Sequence, residues 1–146
     1  MRDIAIVSTA RTAVGKAYRG FFNNTEAPSL AGHAMKAAVA RANIDPAMVD
    51  DVILGCAVTQ GTSGVNIARH AVLAAGFPVS IAAMTIDRQC ASGLSAIAAG
   101  AMQVSSDSSR IVLCGGVESI SLAQNEHMNR YRERDPVVEA TYPHYY

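Results

Sequence analysis

The sequence predicts an α/β fold, and three observations carry that prediction. Short apolar runs rich in β-branched residues recur at 4–7, 52–57, 81–86 and 110–116. Between them lie stretches of helical character at about 29–43, 66–75 and 90–106. Turn-forming residues, among them Gly76, Pro78, Gly115 and Gly116, fall at the joints. Strands alternating with helices at this spacing indicate a layered α/β sandwich rather than a helical bundle or an all-β fold.

Taken in order, residues 4–7 (IAIV) read as a central strand, because β-branched side chains suit a pleated, buried surface. The Gly15-Lys16 pair that follows invites a phosphate-loop reading, which fails: Ala10 stands where the first glycine belongs and Ala17 where Ser or Thr belongs. A helix opens at Pro28 or Ser29 and runs to about Asn43. Leu30, Ala34, Ala37, Ala38 and Val39 mark its inner side, and Lys36 and Arg41 sit toward the end that favours cations. His33 reads as a surface residue, with no second ligand type at matching spacing. Asp45-Pro46 starts a short helical turn. Residues 52–57 form a buried strand with Cys56 as a core residue. Asn66 caps a helix that Gly76 closes.

Residues 81–86 read as a buried strand, and the polar turn Asp87-Arg88-Gln89 follows. From Cys90 to Ser106 there is no charged side chain, so the helix expected there has no solvent face and should be buried all round. Gly93 and Gly100, seven apart on one side, would let another backbone approach. A membrane span is the poorer reading, since the run is short and mostly Ala, Gly and Ser. Cys90 opens this helix. A thiol there meets unpaired amides and the positive end of the dipole, which favour the nucleophilic thiolate. Its own amide could serve a developing oxyanion. The plain alternative is a small buried hydrophobe. After the run at 110–116, Glu118 and Ser119 read as structural residues past a strand end. The charge-dense stretch 124–139 reads as a solvated helix or loop.

Composition narrows the field. At 146 residues the chain has the size of one domain. Half its residues are hydrophobic and 16% charged, which suits a chain that covers part of its surface with other protein. A net charge of zero suggests neither nucleic acid nor an anionic membrane as partner. Three cysteines without paired spacing argue against a disulfide framework or a metal site. With no signal-peptide core at the N-terminus, a reducing, cytoplasmic location is expected.

The segment Ile86-Asp87-Arg88-Gln89-Cys90-Ala91-Ser92-Gly93-Leu94-Ser95-Ala96-Ile97 resembles the acyl-enzyme segment of the thiolases. Ala10-Arg11-Thr12-Ala13-Val14-Gly15 and Gly115-Gly116-Val117-Glu118-Ser119-Ile120-Ser121 resemble two further thiolase segments, in the same order and spacing. Asp87 departs from the family pattern, where Asn or another small neutral polar residue is usual, and an added carboxylate opposes thiolate formation. The resemblance implies a thiolase-like layered sandwich whose N-terminal half has a mixed sheet flanked by helices, left incomplete in this chain. Residues 1–120 would form the α/β domain and 121–146 the start of an inserted loop domain. It implies Cys90 as catalytic residue, carrying an acyl group as a thioester between acyl-CoA molecules, in thiolysis or in condensation of acetyl-CoA. It further implies coenzyme A as substrate with no separate cofactor or metal, a homodimer or tetramer, and a place in fatty acid metabolism. Arg11 would be an ion-pair partner rather than a catalyst. The family's general-base His and second Cys lie in GHP-like and CxG-like segments of its second half, which this stretch does not include, so it reads as an inactive N-terminal portion. Two alternatives stand beside this: a non-catalytic half that associates with full-length subunits, and a ketoacyl-synthase-like condensing enzyme.

Overall fold

The computed structural model describes residues 3–146. Its first helix, α1, spans Ala27–Ala42, with proline in the opening turn and Asn43 closing it in the left-handed conformation. A 3-10 turn at Pro46–Met48 follows, capped by the Asp45 carboxylate on the Ala47 amide at 2.9 Å. Strand β1 (Asp51–Gly55) comes next, then a 3-10 turn at Gly61–Ser63 and helix α2 (Ile67–Ala74). Strand β2 (Ala82–Ile86), helix α3 (Ser92–Ser105) and strand β3 (Val112–Gly116) complete the layered part. Two short helices end it, α4 (Ile120–Ala123) and α5 (Pro136–Thr141).

The three strands form one sheet in the order β2-β1-β3, with Ile53 opposite Met84 on one side and Cys114 on the other. Every pairing is parallel, so the α/β class holds while the expected mixed sheet is all parallel among the described residues. The central strand alternates between two covered faces. Val52 and Leu54 join α1 and α2 in the main core, with Met35, Val39, Ala71, Val72 and Phe77. Gly55 faces the other way, against the start of α3. A strand covered on both faces needs the continuous apolar run that residues 52–54 supply.

Several expectations are corrected. Residues 4–7 form no strand, and Ile6 and Val7 are exposed. β-branched content suits a strand only where an open edge is within reach. Here the chain is tied to the flank of α1 instead: Ser8 Oγ donates to the Ala38 carbonyl at 2.7 Å, and Arg41 donates to the Thr9 carbonyl at 2.7 Å. On α1 the buried stripe is Ala27, Ala31, Met35 and Val39, one residue every four. Of the inner positions expected, only Val39 is fully buried, because Gly32 draws the helix onto α2 and turns Leu30 and Ala34 toward an open hollow. Strand β2 is half-exposed rather than buried, since it lies at one of the sheet's two edges.

The largest correction concerns α3. Its buried side is only Ser92, Ala96 and Gly100, while Leu94 is 72% exposed, Ile97 44% and Met102 66%. A helix apolar all round has been laid on one sheet, which covers one face and leaves the other to solvent. The glycine spacing does what it predicted at one end only: Gly93 lies on the Gly116 backbone, whereas Gly100 meets the Cys114 and Val112 side chains rather than another backbone.

Candidate active site

The site sits where β1 and β3 end and α3 begins. β2 stops at Ile86, and the next residues turn sharply. Asp87 Oδ1 accepts from the Gln89 amide at 2.8 Å, an Asx turn that places Gln89 at φ +49°. The amides of Ala91 and Ser92 donate back to the carbonyls of Arg88 and Gln89, at 3.1 and 3.0 Å. Ser92, only 4% exposed, pins the turn from inside: its Oγ accepts from the Arg88 amide at 2.8 Å and donates to the Gln89 carbonyl at 2.6 Å. Thus Asp87 has a job in the turn that an Asn oxygen could also do.

Cys90 stands in this turn, two positions ahead of the helix rather than at its first residue. Its exposure excludes the reading of a small buried hydrophobe. It lines a cleft of about 260 Å³ with Gly55, Gln89, Ser92, Gly93, Gly116, Val117 and Glu118. The cleft exists because three backbones meet without side chains. A Cβ on Gly55 would overlap the Ser92–Gly93 peptide, and one on Gly116 would come within 3.2 Å of the Gly93 Cα. Of the paired glycines at 115 and 116, only Gly116 is held this tightly; Gly115 has ordinary contact with Leu54.

The other two cysteines are different. Cys56 is buried as expected, and its thiol is pushed up to about 12, first by burial and then by the neighbouring Glu118 carboxylate. Cys114 is half-buried beside Gly100, and burial, then the charge of Asp51, push its thiol up. Cys56 is buried and Cys114 half-buried, which leaves Cys90 as the accessible thiol.

Glu118 is held as expected of a structural residue, yet it also lines the cleft. Its carboxylate accepts from the Ala57 and Val58 amides at 2.9 and 3.0 Å, with the Cys56 thiol 3.5 Å away. Ser119 is buried. No histidine is among the residues lining the cleft, and His33 is exposed on α1. Arg11 makes no ion pair among the described residues, contrary to expectation, and instead lines a larger hollow of about 910 Å³ between α1 and residues 9–17. That hollow meets the Cys90 cleft only across Gly116, Val117 and Glu118. The charged stretch near the C-terminus stays on the surface, where Arg134 pairs with Glu139 at 3.1 Å. No group of three or more potential metal ligands occurs among the described residues. None of the helices described is long and apolar enough to cross a membrane.

Ser92 and Asp50 were not singled out in the sequence. Ser92 had a signal, a lone hydroxyl in the first turn of an apolar helix. Asp50 binds the Arg110 and Ile111 amides at 2.7 and 3.0 Å, across sixty residues, and nothing local announces that.

Comparison with known proteins places the chain in a family. Residues 4–142 match the family description "Thiolase, N-terminal domain". An acetyl-CoA acetyltransferase of Cupriavidus necator is 44% identical over 123 residues, which is 84% of this chain and 31% of that protein. A 3-ketoacyl-CoA thiolase of Saccharophagus degradans is 36% identical over 130 residues, 88% of this chain and 33% of that protein. The crystal structure of the Bacillus anthracis acetyl-CoA acetyltransferase superposes with a TM-score of 0.76 at 37% identity, covering 89% of this chain and 34% of that one. The chain spans about a third of the length of the curated relatives it matches. By the residues it shares with that family description over nearly its whole length, the chain belongs to the thiolase family.

Proposed function

We propose that this chain supplies the acyl-carrying part of a thiolase-type acyltransferase, with Cys90 as the nucleophile. The observation that carries the reading is an exposed thiol on a glycine-walled cleft at the ends of β1 and β3, beside the start of α3. The Cys90 sulfur attacks the carbonyl of an acyl-CoA thioester, the C–S bond to coenzyme A breaks, and coenzyme A leaves as its thiol. The acyl group rests on Cys90 as a thioester and then passes to another coenzyme A or to the carbanion of a second acetyl-CoA. Thioester exchange is nearly balanced in energy, so the demand is on positioning and on moving protons. The Cys90 proton needs an acceptor, and no histidine lines the cleft to take it. We therefore expect slow single acylation of these 146 residues, assisted by alkaline pH, and no sustained turnover.

A brief pulse of acetyl-CoA followed by peptide mass spectrometry tests the reading. A gain of one acetyl group on the peptide holding Cys90, absent in C90S, is expected; acetylation at another residue, or none at any pH, refutes it. Coenzyme A enters as substrate, without a separate cofactor. The three unpaired cysteines support a reducing, cytoplasmic setting.

A second reading has its own observation, the exposed face of α3 with Leu94, Ile97 and Met102 and no charged residue in the helix. Such a surface favours association with other protein. In that reading the chain pairs with a full-length thiolase subunit or with itself; under the acyl-carrier reading residues 121–146 begin a loop domain. Sedimentation across a concentration series, alone and with a full-length subunit, decides it: a stable solitary monomer under both conditions removes the association.

A further inference from the structure

We propose that Glu118 is a positioning residue for the chemistry at Cys90, acting through the loop that leaves β1; this rests on the reading of Cys90 as the acyl carrier. Glu118 follows β3 by two residues, and its two oxygens are used separately. Oε2 accepts from the Ala57 amide at 2.9 Å, and Oε1 accepts from the Val58 amide at 3.0 Å. The Cys56 thiol donates to Oε1 at 3.5 Å, and its strong preference for the protonated form keeps that donor in place. Three consecutive residues of one loop thus converge on one carboxylate.

The loop begins immediately after Gly55, whose Cα is packed on the Ser92–Gly93 peptide at the base of the Cys90 turn. Fixing residues 56–58 therefore fixes the floor of the cleft against the turn that carries the sulfur. Glu118 is also the one charged residue among those described as lining the cleft. A bare carboxylate there would oppose the thiolate on which acyl transfer depends. Drawing its two oxygens onto three donors of the loop weakens that field while using the charge to hold the wall.

A carboxylate offers a strong acceptor on each of its two oxygens. Gln has the same shape, but its NH2 group would face a backbone N–H, and one of the two amides would lose its partner. Asp keeps the charge and is one methylene too short to hold both. The clamp is partly open to water, so its loss should be a moderate effect confined to the cleft.

The test compares wild type, E118Q and E118D by two reactions at Cys90 and by amide exchange. Alkylation by iodoacetamide needs only an exposed thiolate, whereas acetylation by acetyl-CoA needs the carbonyl seated in the cleft. The expected result for E118Q is acetylation slowed by roughly tenfold with alkylation within about twofold of wild type. Exchange at Ala57 and Val58 should quicken by roughly threefold to tenfold while the α3 amides stay as they were. E118D should fall between the two. Acetylation and alkylation changing in step, or exchange unchanged at Ala57 and Val58, overturns the proposal; if E118Q does not fold, E118D decides on the same criteria. Should wild type take no acetyl group at Cys90, the acyl-carrier reading fails, and the exchange rates alone then decide whether Glu118 holds the loop.

Discussion

Replacing Gly55 by alanine should damage this protein more than any other single added methyl group. The new Cβ would fall within the Ser92–Gly93 peptide, well inside the distance any carbon can approach. Relief requires moving either β1 or the start of α3. β1 is bonded on both sides in the centre of the sheet, and Ser92 is pinned by two hydrogen bonds to its own turn. Overpacking in a well-fixed core costs about 1–3 kcal/mol, and rigid backbone on both sides places G55A at or above the upper end. For a domain of this size about 3 kcal/mol lowers Tm by roughly 6–12 °C. The matched control is G115A, where the Cβ would sit 3.5 Å from Leu54 Cδ2 in ordinary contact. That change should stay within about 1 kcal/mol of wild type, since it also restricts the unfolded chain. Thermal and urea unfolding of the two variants beside wild type measure the difference. In G55A the Cys90 alkylation rate should change as well, because the turn carrying the sulfur rests on the same contact. Equal midpoints for G55A and G115A would refute the claim that the cleft is built on backbone contact between these elements.

Native-state alkylation with iodoacetamide at mildly alkaline pH should label Cys90 long before Cys56 or Cys114, both buried or half-buried and held as thiols; peptide mapping at short times reads the order. The Asp50 carboxyl is held below its ordinary 3.8 by the Ile111 and Arg110 amides, so its contribution is present above that value and is lost as pH falls through the lower folded value. D50N should therefore be less stable than wild type at pH 6, with the gap closing below about pH 4 in urea titrations. Cys56 runs the other way: the folded thiol titrates near 12 against an ordinary 9.0, so the unfolded chain loses its proton first and stability falls as pH rises between those values. C56A should flatten that alkaline decline even though the cavity it leaves lowers stability overall, a difference visible in unfolding midpoints at pH 8 and 10.5. Placing lysine at both Leu94 and Met102 should abolish any concentration-dependent association in sedimentation while leaving the thermal midpoint within about 2 °C, since both side chains already face water.

The local signals in this sequence were reliable where local chemistry decides the outcome. Pro28 and Asn43 bound α1, Asn66 and Gly76 bound α2, and the apolar run at 52–54 became the doubly covered strand. The position of Cys90 between a strand and an apolar helix was legible for the same reason, as was the close backbone approach that Gly93 allows. Partners distant in sequence were not legible. Residues 4–7 have the side chains of a strand, but pairing depends on an edge elsewhere, and Ser8 and Thr9 are bound to α1 instead. The periodicity of α1 allowed several inner faces, and contact with α2 through Gly32 selected the stripe through Met35. An uncharged helix announces that it avoids water, yet only packing shows which face the sheet covers, so Leu94 and Met102 came out exposed. Sequence by itself determined the alternation of strands and helices, the punctuation between them and the thiol at the turn, because these rest on propensity and spacing within a few residues. Tertiary structure decided the parallel order β2-β1-β3, the meeting of Gly55, Gly93 and Gly116, and the Glu118 clamp on residues 56–58, because each joins groups tens of residues apart whose contact no local preference encodes.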